Sequence, residues 1–244
     1  MGEDIEVKGY PEPEEYIIRT ITATTTINQS INLSVFANNI KINNNIIGME
    51  YGKDRYGELK PKKNKKSKRG NTFYNQIMLN VDIGEKKINV KVFKNGTLHM
   101  TGLKKKKHGK KIIEIMKKEL EKIYTLVSET CVENKSQLQV VKKMPIVFEK
   151  ITIHMINSSF NSYIKINREK LYTILLNRDI FCTFEPCIHA AVNVKYDCCK
   201  KCVTILIFQT GKVIITGAKK IKHLKKTYEF INNIFKEKYL EIKK

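Results

Sequence analysis

The chain has 244 residues and carries 46 Lys plus Arg against 24 Asp plus Glu, a formal net charge of +22. No apolar run approaches the ~20 residues of a membrane helix, and the amino terminus (MGEDIEVKGYPEPEEY) lacks the basic-then-apolar order of a secretory leader. Basic drift of a Lys-rich composition is one reading of the charge. A polyanionic partner is the favoured one, because each phosphate contact releases a condensed counterion.

Glu6 stands where a myristoylation motif requires Ser or Thr. The six cysteines sit mostly in the second half, without paired spacing, so an intracellular, reduced protein is expected.

Residues 1–15 are acidic and contain Pro, which suggests a flexible arm. The stretch IIRTITATTTI is β-branched at nearly every position and predicts a strand. Ser30-Ile31-Asn32 offers a cap for a short helix through Ile40, with Leu33, Phe36, Ala37 and Ile40 on one face. Residues 52–72 read as a polar insertion loop with a basic run from Lys60 to Arg69, either a phosphate-binding arm, a localisation signal or a solvated loop.

Strands are expected over Phe73–Ile83, Asn89–Phe93 and Thr97–Thr101, the last two joined by the hairpin signal Asn95-Gly96. Lys110–Leu126 has helical periodicity, with Ile112, Met116, Leu120 and Ile123 on one face and Lys110, Lys111, Lys117, Lys118 and Lys122 on the other. Residues 128–145 read as a polar linker. The order then recurs: extended chain over Ile151–Ile166, a helix capped by Asn167, a strand over Cys187–Tyr196, a hairpin over 203–216 and a helix over Lys222–Leu240.

The recurrence is literal. VTILIFQTGKVIITGAK (203–219) repeats INVKVFKNGTLHMTGLK (88–104), pairing Phe93 with Phe208, Gly96 with Gly211, Thr101 with Thr216 and Lys104 with Lys219, always 115 residues apart. The same offset pairs His108 with His223 and Glu114 with Glu229. Such a shared period identifies a duplicated unit. The domains expected are an arm (1–15), a first repeat (16–127), a linker (128–145) and a second repeat (146–244). Each half is α+β, with helices on one sheet face.

Alternation in the second copy puts Thr204, Leu206 and Phe208 on one strand face and Ile205 and Ile207 on the other. Both faces are apolar, so one packs on the long helix and the other is left as a candidate binding surface.

IFQTGKVIITGAK resembles the second-repeat segment of the TATA-box-binding protein family, and VFKNGTLHMTGLK looks like its first-repeat counterpart. FYNQIM (73–78) and KITIHMINSS (150–159) are similar to further strands of that family. The resemblance implies a pseudo-symmetric saddle, a curved antiparallel sheet of about ten strands under four helices. It also implies that the concave face sits on the minor groove of AT-rich promoter DNA, with Phe side chains as wedges. The insertion and composition suggest a divergent member, such as those of large DNA viruses, acting in a host nucleus or a cytoplasmic viral factory.

Carried onto this chain, the resemblance makes Phe73, Phe93 and Phe208 wedges, Thr101 and Thr216 groove-centre hydroxyls, and Leu206 and Ile214 their apolar neighbours. Lys104, Lys212 and Lys219 become basic flanks. Phe184 is the nearest aromatic to the remaining wedge position, although a match through Phe184-Glu185-Pro186 puts His189 there instead. Glu185 falls where the family meets its B-type initiation factor, and Lys110, Lys111, Lys117 and Lys118 resemble surfaces offered to other initiation factors and to DNA phosphates; RNA polymerase is the further partner that the resemblance implies. The family's two base-reading Asn are replaced by Thr20 and by Ile153 or His154. Lys91 and His99 stand at apolar positions, which favours phosphate or base-acceptor contacts over unstacking.

Cys199-x-x-Cys202 has zinc-ligand spacing. A strand over 188–196, at ~3.3 Å per residue, would nonetheless separate Cys187 from Cys199 by roughly 30 Å. No phosphate-loop, dinucleotide or catalytic pattern is present, so neither an enzyme nor a cofactor is expected. The alternative to a promoter-binding initiation factor is a protein-interaction scaffold that keeps the fold and has lost DNA bending.

Overall fold

In the computed structural model the described residues are 9–59, 74–130 and 139–244. The chain forms two compact units, Thr22–Thr152 (the first unit) and Met1–Ile21 with Ile153–Lys244 (the second). Strand β1 (Ile17–Thr26) contributes its first half to the second unit and its second half to the first.

In the first unit, α1 (Leu33–Asn39) starts at Asn32, whose side-chain oxygen accepts the Val35 N–H at 3.2 Å. Its Leu33, Val35 and Phe36 are buried. Strands β2 (Ile46–Tyr51), β3 (Asp54–Gly57), β4 (Gln76–Asp82), β5 (Lys87–Phe93) and β6 (Thr97–Leu103) form antiparallel pairs in the order β3-β2-β4-β5-β6. The helix α2 (Lys106–Thr130) follows. Strand alternation sends Ile77, Leu79, Val81, Ile88, Val90, Val92, Leu98 and Met100 into a core with Ile112, Met116, Leu120 and Ile123 of α2, all at most 1% exposed. Burying each such side chain contributes about 1.5–3 kcal/mol.

The second unit repeats the plan. Strands β7 (Thr152–Asn161), β8 (Cys182–Thr183), β9 (Ala191–Asp197), β10 (Cys202–Phe208) and β11 (Lys212–Ala218) lie in the order β7-β11-β10-β9-β8. Helix α3 (Arg168–Leu176) is capped by Asn167, which accepts the Lys170 N–H at 3.2 Å. Helix α4 (Ile221–Glu237) packs along β11 and buries Leu224, Ile231 and Phe235, on the side where Ile205, Ile207, Val213 and Ile215 are also fully buried, and α5 (Tyr239–Ile242) follows it.

The hairpin glycines explain why that stretch is the most similar part of the repeat. Gly96 and Gly211 have φ of +85° and +84°. A Cβ on Gly211 would lie 2.5 Å from the Ile164 carbonyl oxygen, and one on Gly96 would collide with that of Gln29.

Structural equivalence reaches further than the sequence similarity. Strands β4 and β9, β5 and β10, and β6 and β11 keep the 115-residue offset residue for residue, although Met78 of the first then corresponds to Asn193 of the second. The β1–β7 and α1–α3 pairs start 135 residues apart. The offset changes between β2 and β4, so the first repeat is 20 residues longer there.

Three expectations are corrected. Residues 10–16 are not a free arm: the Glu14 N–H donates to the Asn161 carbonyl at 2.8 Å, Tyr228 Oη donates to the Glu14 carbonyl at 3.1 Å, and the Tyr10 ring meets Tyr239 edge-on at 5.5 Å. Burial, with Glu12 nearby, pushes the Tyr10 hydroxyl up to about 12. The expected loop over 52–72 contains a four-residue strand instead: Asp54–Gly57 pairs with β2, while residues 60–73 lie outside the described set. The expected linker over 128–145 is partly helix and partly core, since α2 runs to Thr130 and Val140 and Val141 are buried, the latter bridged to Ile31.

Candidate nucleic-acid interface

Each sheet has one face packed on helices and one face that is not. In the second unit the open face carries Thr204, Leu206 and Phe208 of β10, Ile214 and Thr216 of β11, and Asn193 of β9, all half-buried. Register places Leu206 between Asn193 and Ile214, and Thr204 opposite Thr216. Leu206, Phe208 and Ile214 therefore make an apolar row bordered by amide and hydroxyl groups. Lys212 and Lys219 are exposed at the two ends of β11.

Thr216 does not stand alone. Its hydroxyl donates to Asn157 Oδ1 at 2.6 Å and lies 3.6 Å from Met155 Sδ. Asn157 of β7 was not among the sequence candidates, because the offset that finds it is 135 rather than 115, pairing it with Thr22. Asn193 was missed as well. Its Oδ1 is buried without a hydrogen-bond partner among the described residues, and it borders a cavity of about 200 Å³ with Leu206, Glu185, Ile188 and His189. A buried acceptor without a donor costs about 1–3 kcal/mol and is a natural contact for a ligand N–H.

The ring beside Phe208 belongs to His189, at 6.3 Å between centroids. Phe184 instead meets Tyr172 at 6.2 Å and the Arg168 guanidinium at 5.1 Å, so of the two candidates for the remaining wedge position it is His189 that lies beside Phe208. The cause is local. The Glu185 carbonyl accepts the N–H groups of Ile188 (2.9 Å) and His189 (2.8 Å), and this turn swings His189 back over the sheet end. His189 Nδ1 accepts the Ala191 N–H at 3.2 Å, so the neutral ring carries its proton on Nε2. The Glu185 carboxylate is exposed beside this cavity.

The first unit presents the same register with different chemistry. Lys91 lies opposite Met78 and His99, Asn89 opposite Asn80 and Thr101, and Phe93 opposite Gln76. Phe93 is half-buried on the open face, and Thr101 and Lys104 are exposed. Where the second unit has Leu206 against Ile214, the first has Lys91 against His99. Phe73 lies outside the described residues; Tyr74, just after it, is 60% exposed and meets Tyr51 edge-on at 5.9 Å.

Of the basic helix positions, Lys110 and Lys118 are exposed. Lys117 pairs with Glu121 at 3.8 Å. Lys111 is drawn to Glu85 at 3.3 Å, so an internal carboxylate already engages it. Among the described residues no group of three or more His, Cys, Asp or Glu could hold a metal; Cys198 and Cys199 lie 3.9 Å apart, sulfur to sulfur, in the β9–β10 turn.

Two helix-backed antiparallel units, equivalent strand by strand and each with an open face of apolar, hydroxyl and amide groups, define a duplicated α+β fold of the TATA-binding type. A profile of the family described as "Transcription factor TFIID (or TATA-binding protein, TBP)" matches residues 150–238. A "TATA-box-binding protein-like" protein of Acanthamoeba polyphaga mimivirus is 31% identical over 267 aligned positions, covering 98% of this chain and 70% of that protein. The structure of Methanococcus jannaschii TBP superimposes with a TM-score of 0.58 at 20% identity, covering 93% of this chain and 99% of that one. The chain belongs to the TATA-box-binding protein family.

Proposed function

We propose that the chain is a general transcription initiation factor that binds AT-rich promoter DNA through the minor groove, bends it, and recruits a B-type initiation factor and RNA polymerase. The observation that carries this reading is the open row Leu206, Phe208 and Ile214, left without a helix to cover it on a chain of net charge +22. An apolar strip among hydroxyls and amides suits the minor groove, where A·T pairs offer only acceptors and a smooth floor. Aromatic and aliphatic wedges then unstack a base step and bend the duplex, a mode of which this family is itself a known example. Lysines at the strand ends supply the salt-dependent share of affinity. Glu185, exposed next to the His189 turn, is the residue offered to the B-type factor.

Mobility shift and end-to-end fluorescence transfer on AT-rich duplexes test the reading. A compact, bent complex that tolerates competitor DNA is expected. Binding no different from that of a nonspecific polycation would overturn it.

The pair Lys91–His99 favours a second reading, a protein-interaction scaffold on the same fold that no longer deforms DNA. Unchanged bending after Phe93→Ala with Phe208→Ala would support it, and a large loss would reject it.

A further inference from the structure

The duplication exposes a substitution that neither repeat shows by itself. In the first unit the β4–β5 turn carries Glu85. Its carboxylate meets Lys107 Nζ at 3.0 Å, Lys111 Nζ at 3.3 Å and His108 Nε2 at 3.4 Å. Hydrogen bonds from Lys107 and Lys111 hold the carboxyl down to about 2. His108 Nδ1 accepts the Lys104 N–H at 3.3 Å, so the neutral ring carries its proton on the buried Nε2, near the carboxylate but not hydrogen-bonded to it.

At the 115-residue offset these four become Lys200, Lys222, Lys226 and His223. The closing hydrogen bonds recur in both places, although the turns differ within them: Gly84 has φ of +83° in the first, whereas Cys199 and Lys200 have φ of +54° and +61° in the second. The turn closes through Ile83 N–H to the Lys86 carbonyl in one unit and Cys198 N–H to the Lys201 carbonyl in the other. The helix opens through His108 N–H to the Lys105 carbonyl and His223 N–H to the Lys220 carbonyl. The cations are kept, but a lysine replaces the carboxylate they hold.

Lys200, Lys222 and Lys226 are exposed and take part in no ion pair among the described residues. Lys225 on the neighbouring face pairs with Glu229 at 3.8 Å, so that carboxylate is engaged elsewhere. His223 is 6% exposed, and its Nδ1 has no hydrogen-bond partner among the described residues. Lys222, Lys220 and Lys201 lie close enough to His223 to disfavour its protonation further, after burial. Asp197 ends β9 beside this turn but forms no ion pair with these lysines among the described residues, and like charges so gathered are costly and attract an anion from outside.

We propose that the β9–β10 turn and the first two turns of α4 dock an acidic segment of a partner protein, whose carboxylate takes the place that Glu85 fills in the first unit. The first unit favours a carboxylate over other anions, since there two ammonium groups already close on one beside a neutral imidazole. The site lies on the helix-bearing layer, apart from the open sheet face, and its existence does not depend on DNA binding.

The test uses the full chain and a fluorescein-labelled peptide of alternating Glu and Gly, followed by anisotropy. Lys200→Glu restores an internal carboxylate and should weaken peptide binding about tenfold, because the site then holds its own anion. Lys165→Glu, an exposed residue elsewhere in the same unit, makes the same charge change and should alter binding less than about twofold. Glu85→Lys should open a second equivalent site and raise the bound stoichiometry. Thermal unfolding of each variant reports on its fold.

Equal losses for Lys200→Glu and Lys165→Glu would overturn the proposal in favour of diffuse charge. A Lys200→Glu loss for duplex DNA as large as that for the peptide would overturn it in favour of a phosphate ligand.

Discussion

The difference between the two sheet faces can be erased. Lys91→Leu with His99→Ile gives the first unit the pair that Leu206 and Ile214 form in the second, at the same register. All four positions are half-buried in the free protein, so a covering duplex removes only the remaining exposure. Half of the ~1.5–3 kcal/mol for complete burial is about 1 kcal/mol per side chain, or about 2 kcal/mol for the pair. That corresponds to roughly thirtyfold in Kd. Loss of the Lys91 charge offsets part of this and lowers the salt slope by about 0.9 if the ammonium contacts a phosphate. The net expectation at near-physiological salt is about tenfold tighter binding to an AT-rich duplex, a flatter salt dependence and a larger bend. Anisotropy titrations across a salt series, with fluorescence transfer for the bend, measure all three. Unchanged affinity, slope and bend would mean that the first unit's open face does not meet DNA.

Other outcomes follow from the packing. Gly211→Ala, at φ +84° with its Cβ 2.5 Å from a carbonyl oxygen, should lose about 2–3 kcal/mol; Gly102→Ala, at φ +103° with open space around it, should lose only about 1 kcal/mol. Urea unfolding separates the two. Asn32→Ala and Asn167→Ala each remove a side-chain cap and should cost about 1 kcal/mol by the same assay. His108 and His223 are both held below the ordinary value of 6.5, chiefly by burial. The unfolded chain therefore binds these protons more readily, so stability is fully present above about 6.5 and falls as pH drops below it. Replacing both by Gln should flatten that part of a chemical-denaturation profile measured against pH.

What was legible in the sequence was local or repeated. Asn95-Gly96 announced the first hairpin and the repeat carried it to the second, and two-residue alternation sorted Ile205 and Ile207 from Leu206 and Phe208. What was not legible depended on distant partners. The four exposed residues of β3 become a strand only because β2 lies beside them. Acidic residues and prolines suggested a free amino-terminal arm, yet Tyr10 and Tyr16 are anchored by rings more than 200 residues away, on Tyr239 and Tyr228. The choice between Phe184 and His189 rested on a turn whose hydrogen bonds no spacing rule reveals. Asn157 and Asn193 became visible once two offsets, 135 and 115, could be read from the strands.

The central claim is that the open face of the second unit wedges DNA. Its most direct test is the bend angle of an AT-rich duplex, measured by fluorescence transfer with saturating protein before and after Phe208→Ala. Phe208 is half-buried on the open face, so truncation should leave the fold intact. The account predicts a sharp bend that relaxes substantially on truncation. An equal bend with either protein, or no bend with the unaltered one, would contradict it.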